Sequence, residues 1–243
     1  MLNPRSPKEA IIDSRFTVPV FTVAEAACLV GMNPSTLSTW AKGYERRFDG
    51  RRPVRMGPVT TSIADTNGAA RVPFIGLVEA AVVQAFRQTD LPLQRIRAAL
   101  EVLDAQGELE HALASRKLMT DGAEVLYDYA RETADGQLGL LTVVKSGQRV
   151  YTDMIAEYLE RITFGDDWAT EIVVPTTEHH ILRVRPNVAS TRPFFIASGA
   201  PLDAIHDRIL AGEPLGSVAR DFDTPEGDIR EALDAIWPSA RAA

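Results

Sequence analysis

The sequence predicts a mainly α-helical chain with small β elements, an α+β arrangement. Three observations lead there. Apolar residues recur at helical spacing over 74–89 and 92–105, where Leu93, Ile96, Leu100 and Leu103 form one stripe. From Pro201 the chain reads as three short helices, 201–211, 214–221 and 225–236. Between these stretches lie strand signals. Asn67-Gly68 marks a hairpin, and the runs EIVVP and ILRVRP are apolar and end in proline.

Composition narrows the function. The 243 residues are 45% hydrophobic and 24% charged, ordinary for a soluble globular chain of one or two domains. No apolar run reaches the ~18 residues of a membrane helix, and the N-terminal stretch has no apolar core of a secretory signal. The single cysteine, Cys28, precludes an internal disulfide and fits a reducing cytoplasm. Four histidines, His111, His179, His180 and His206, show no ligand spacing, so no metal or cofactor is expected. No nucleophile elbow, zinc-protease helix, phosphate loop or dinucleotide fingerprint is present, which argues against an enzyme.

Charge is unevenly spread. Net charge is −7 overall, yet residues 1–75 carry +4 and residues 76–243 carry −11. Nucleic-acid binding is therefore confined to the N-terminal part, because screening limits each charge to its surroundings.

Residues 1–20 read as an arm with little regular structure. Residues 21–43 are helical. A further short helix is expected around 108–118, strands at 124–130 and 138–144, and a helix at 150–162. The halves divide near 118–123.

Residues 23–42 (VAEAACLVGMNPSTLSTWAK) have the requirements of two short helices crossing steeply. Ala27 is small enough for the crossing, and Gly31 tolerates a positive φ at the turn. Asn33 is an N-cap and Pro34 a first helical residue. Ala26, Val30, Met32, Leu37 and Trp40 face the angle between the helices, and Cys28 is expected on the inward side. The second helix then exposes Ser35, Thr36, Ser38, Thr39 and Lys42, short polar groups able to bond phosphates or base edges. Arg46, Arg47, Arg51, Arg52 and Arg55 follow, with only Glu45 and Asp49 against them. Such a run beside a reading helix suits phosphate contacts. VTTSI, a turn, and ARVPF would form a wing that includes Arg71.

The stretch 20–105 resembles the MerR-type winged helix-turn-helix. The resemblance rests on FTVAEAACLVGMNPSTLSTWAKGY, the wing end Ala70-Arg71-Val72-Pro73 and the helix LPLQRIRAAL. It implies a homodimer reading two half-sites.

A second pattern fills 183–236. Arg185-Pro186, Arg192-Pro193-Phe194-Phe195, Leu210-Ala211-Gly212-Glu213, Val218-Ala219-Arg220-Asp221-Phe222 and Ala232-Leu233 resemble, in order, the domain of unknown function 433. Gly212 is expected to stop the first of its helices, and Thr224 to cap the third. Ile205, Ile209, Val218, Phe222, Ile229, Leu233 and Ile236 would close its core. Residues 201–236 hold nine acidic residues and three arginines, so this unit should repel DNA and serve a protein contact.

The organisation is thus an arm (1–20), a DNA-binding head (21–119), a bridging segment (120–182) and a C-terminal tri-helical domain (183–243). Together these resemble the VapB45-type antitoxins. That resemblance implies a partner, a VapC-type PIN-domain ribonuclease, and operator DNA of the chain's own operon. Arg183, Arg185, Arg192 and Arg208 are the candidates for meeting an acidic nuclease site. For each, an ion pair within the chain is the competing reading. A stand-alone MerR-like regulator sensing a small ligand is the alternative.

Overall fold

The computed structural model describes residues 13–46, 53–65, 67–88, 92–105, 111–116, 157–165 and 167–237. The expected strands at 124–130 and 138–144, and most of the helix expected at 150–162, lie outside them.

The helix-turn-helix forms as its residues dictate. Helix α2 spans Val23–Val30 and α3 spans Pro34–Lys42. (Helix α1, Ser14–Thr17, precedes them.) Thr22 and Glu25 close a capping box at the start of α2: the Thr22 hydroxyl oxygen accepts from the Glu25 N–H, and the Glu25 carboxylate from the Thr22 N–H. Gly31 is left-handed, φ 73° and ψ 41°, which frees the Met32 N–H to donate to Ala27. Ala27 is fully buried at the crossing. Cys28 is half-buried and lines a cavity with Ile236 and Trp237. It therefore faces the C-terminal unit rather than α3.

Strand β1 (Phe21–Thr22) pairs antiparallel with β5 (Ala70–Val72), and β5 with β4 (Ile63–Ala64). The β4–β5 turn is built by Asp65, whose carboxylate accepts from the Asn67 and Ala69 N–H groups, with Gly68 at φ 76°. A second, separate ribbon joins β2 (Tyr44–Arg46) to β3 (Val54–Met56). The two described ends of the basic run thus pair with each other, whereas the sequence reading placed only one hairpin here.

Helices α4 (Phe74–Gln88) and α5 (Leu93–Ala105) follow. Every residue from Phe74 to Val83 is buried. A helix apolar on all sides must be covered on all sides. Helices α1, α2 and α5, strand β5, strand β7 (Ala169–Val173) and the 3-10 turn Ala112–Ala114 cover it. Of the short helix expected around 108–118, the described residues show that turn, ended by extended Ser115.

The arm is more ordered than expected at Ser14–Thr17. Asp13 accepts from the Arg15 N–H as the cap of α1, and Phe16 packs between His111 and Trp168 at ring distances of 4.8 and 5.3 Å. The Asp13 carboxyl is lowered from its usual range, mainly by its bonds from the Arg15 side chain.

In the C-terminal half, β6 (Ile162–Phe164), β7, β8 (Leu182–Val184) and β9 (Phe194–Phe195) form an antiparallel sheet in that order. Helices α6 (Leu202–Leu210), α7 (Leu215–Asp221) and α8 (Glu226–Ile236) follow. Gly212 takes φ 89° after α6, as the stop signal requires. Thr224 does not cap α8: Pro225 occupies the cap position, and the Thr224 hydroxyl bonds Ser198 and Phe222 instead. Helix α8 packs on α2, and one apolar core runs from Phe21 to Ile236.

Two predictions follow from this packing. A Cβ at Gly76 would stand 2.2 Å from the Thr61 carbonyl oxygen. Gly76→Ala should therefore destabilise by about 1–3 kcal/mol through overpacking, despite the better helix propensity of alanine. Urea unfolding checks this, and a stabilised variant would refute it.

The second concerns pH. Burial pushes the Glu25 carboxyl up, but bonds from Arg192 and Thr22 outweigh it and the pKa is lowered. A depressed folded pKa gives stability that is present above the unfolded value and lost as pH falls through the folded one. Glu25→Gln retains the capping box geometry and should cost up to ~1 kcal/mol at neutral pH. The difference from the parent should vanish once the carboxyl is protonated; unfolding midpoints across an acid series read it.

Candidate nucleic-acid interface and partner surface

Helix α3 presents its polar face as expected. Leu37, Trp40 and Ala41 are buried, Ser35, Thr36 and Lys42 are exposed, and Ser38 and Thr39 are half-buried. The Asn33 side chain caps the helix, accepting from the Ser35 N–H at 2.9 Å and the Ser35 hydroxyl at 2.7 Å. The Thr39 hydroxyl donates to the Ser35 carbonyl at 3.0 Å. Two of the five candidate groups thus spend their hydroxyl protons inside the helix. They present acceptor lone pairs, which suit base amino donors rather than phosphates.

The basic hairpin starts directly after α3. Gly43 (φ 73°) makes the bend, and a Cβ there would meet the Met56 carbonyl oxygen at 2.2 Å. Arg55 is exposed and lies opposite Glu45 in the register. Arg46 belongs to β2, opposite Val54. Arg47, Arg51 and Arg52 lie outside the described residues. Arg71, on the other hairpin, is half-buried, with its Nε 3.5 Å from Asp65. The Asp65 carboxyl is lowered, chiefly by the Ala69 N–H.

The segment joining the two hairpins is held from two sides. The Val59 and Thr60 N–H groups donate to the Trp40 carbonyl at 2.8 and 3.3 Å, and the Ser62 hydroxyl to that of Ala41 at 2.9 Å. These bonds fix it to the end of α3. From α4, the Glu79 carboxylate accepts the Thr61 N–H at 2.5 Å. Glu79 is only 3% exposed, and His111 Nδ1 lies 3.0 Å from it. Sequence reasoning passed over Glu79; its signal was a single charge inside the apolar run FIGLVEAAVV. A cavity of about 400 Å³ lies beside these groups, lined also by Arg97 and Leu100.

The four C-terminal arginines all bond carboxylates of their own chain. Arg183 and Arg185 share the buried Glu171. Arg192 joins Glu25 of α2 at 2.6 Å to Asp203 of α6 at 2.9 Å. Arg208 binds Glu213 and Asp221. The environments differ. Arg192 is three-quarters buried at the joint of head and C-terminal unit. Arg185 is half exposed, and with Arg183 and Arg15 it lines an open cleft of about 680 Å³.

Among the described residues, no group of three metal-binding side chains comes together, and no helix is long and apolar enough to cross a membrane. On the exposed C-terminal surface, His179 meets Glu231 at 2.5 Å; that contact raises the histidine pKa.

Comparison with known proteins agrees with this geometry. Residues 19–100 match the family model described as "Putative DNA-binding HTH domain". A Mycobacterium tuberculosis protein named "Putative antitoxin VapB45" is 37% identical over 232 residues, spanning 93% of this chain and 97% of that protein. The crystal structure of Rv2018 from Mycobacterium tuberculosis superposes with a TM-score of 0.69 at 35% identity, covering 90% of this chain and all of that one. The helix-turn-helix is thus of a recognised type, and with the relationship spanning both halves, the chain belongs to the VapB45 antitoxin family.

Proposed function

We propose that this chain is the antitoxin of a type II toxin-antitoxin pair. Its C-terminal half binds and neutralises a VapC-type PIN-domain ribonuclease. Its head binds operator DNA and represses the shared operon, acting as a homodimer in the cytoplasm. The observation that carries this reading is the division of charge along one fold. A winged helix-turn-helix with a basic hairpin is joined to a tri-helical unit of nine acids and three arginines. The first attracts phosphate and the second repels it.

On the DNA side, Ser35, Thr36, Ser38, Thr39 and Lys42 of α3 supply sequence reading. Arg46, Arg47, Arg51, Arg52 and Arg55 supply phosphate affinity, and Arg71 supports the wing. On the toxin side, the environments rank the four arginines. Arg192 and Arg208 serve the chain's own architecture. Arg183 and Arg185 share one carboxylate and leave net positive charge in an open cleft, so they are the pair offered to acidic groups of the toxin. The cavity beside Glu79 favours a second reading, a regulator whose wing responds to a small ligand.

The DNA half is tested by salt dependence. Replacing Arg51 and Arg52 with Ala should lower the slope of log affinity against log salt by about two units, because each phosphate contact contributes ~0.9. Replacing Thr36 and Thr39 should relax sequence preference at an unchanged slope. An unchanged slope in the arginine pair would show a merely solvated run.

The toxin half is tested by co-expression with the adjacent ribonuclease gene, mass determination and an RNA-cleavage assay. A stable complex with suppressed cleavage is expected. Arg183→Glu with Arg185→Glu should weaken it by at least about tenfold, the scale of losing one charged contact pair, while Arg208→Glu leaves it unchanged. Absence of any complex would favour the ligand-responsive reading.

A further inference from the structure

Glu79 is an acidic residue, 3% exposed and set in the most buried of the described helices, yet no part of the DNA surface contains it. A buried carboxylate is costly unless its bonds are made, so where those bonds go is informative. One goes to the Thr61 N–H in the segment between the two hairpins. The other goes to His111, whose Nδ1 also lies 2.9 Å from the Thr61 hydroxyl. Gly76, one turn before Glu79, lets the Thr61 carbonyl approach α4 closely enough for both contacts. The neighbours of Thr61 are bonded to the last turn of α3. The clasp is therefore the tie from α4 to a segment that, through its bonds to α3, sets both hairpins against the reading helix.

Behind the clasp, His111 leads away from the head. It sits in a left-handed backbone, φ 56°. Its ring packs at 4.8 Å on Phe16 of the arm and at 6.2 Å, edge-on, from Trp168. Trp168 is bridged to Ser115 and directly precedes β7. A continuous set of contacts thus joins the C-terminal sheet to the wing base.

We propose that Glu79 and His111 are positioning residues for DNA binding, and that they tie the setting of the hairpins to the packing of the C-terminal half at Trp168. The proposal rests on the reading of the head as a DNA binder. Neither residue touches DNA; each acts through Thr61.

The experiment uses the full-length chain and an operator duplex, with affinity measured from low to moderate salt and thermal midpoints measured alongside. Glu79→Gln preserves size and removes the charge. It should weaken binding about tenfold and lower the salt slope by about one unit, since displaced hairpin arginines lose phosphate contacts. Thr61→Val, which removes only the hydroxyl contact to His111, should act in the same direction and more weakly. Trp168→Ala should also weaken binding, and that effect should disappear in a His111→Ala background, the signature of coupling in a double-mutant cycle. Arg220→Ala, exposed on α7, should match the parent. The proposal is overturned if Glu79→Gln and Thr61→Val lower only the thermal midpoint and leave affinity and slope at parent values. Additive Trp168 and His111 effects would overturn the tie to the C-terminal half. A parent chain without salt-dependent operator binding would instead overturn the DNA reading itself.

Discussion

Helix α4 is the constraint on which the remaining structure depends. Ten successive residues, Phe74 to Val83, are withdrawn from water, and no amphipathic arrangement achieves that. The arm, the helix-turn-helix, α5, the turn at 112–114 and strand β7 each cover part of its circumference. Truncating a side chain such as Phe86 inside this post would cost on the order of 3–5 kcal/mol, a large share of a typical domain's total stability. Covering α4 is also what brings residues from opposite ends of the chain together. Arg15 donates to the Ala169 carbonyl at 3.3 Å across 154 residues because both elements lie against the same helix.

Electrostatics are then arranged around that apolar post. At the joint, Arg192 bonds one carboxylate from α2 and one from α6 and lies over the Phe21 ring at 5.5 Å. Its pairing keeps a largely buried cation compensated, so removing one carboxylate would leave an uncompensated charge at the joint. Elsewhere the acidic half ties its own arginines down, as Arg208 does with Glu213 and Asp221. Among the described cations, Lys42 and Arg55 face solvent beside the reading helix, and Arg185 is half exposed at the open cleft. The proposed two-surface reading rests on the charge division of the sequence, +4 over residues 1–75 against −11 over 76–243, and not on the fold class alone.

Local chemistry was readable in the sequence. Gly31, Asn33, Pro34 and Gly212 fixed turns and caps within one helical turn, and the structure places each as expected, as it does the three C-terminal helices. Thr224 was misassigned because Pro225 could serve as either cap or first residue, and only the bond to Ser198 decides. The β2–β3 ribbon was missed because YERRFDGRRPVR has no alternation of apolar residues. Strands β6 and β9 are three and two residues long, held by pairing partners rather than by propensity. The α1 turn depends on Phe16 finding His111 and Trp168. The Arg192 bridge was beyond reach because Glu25 and Arg192 are 167 residues apart, and the Glu79 clasp because its partners Thr61 and His111, 18 and 32 residues away, meet it only through tertiary packing.

The central claim is that one chain presents DNA and a protein partner with two separate surfaces. The most direct measurement is the mass, by native mass spectrometry, of species formed when the operator duplex, this protein and the ribonuclease encoded beside it are mixed. The account predicts a ternary complex containing all three, formed whichever partner is added first. Displacement of the duplex by the ribonuclease, leaving only binary species at every ratio, would contradict it.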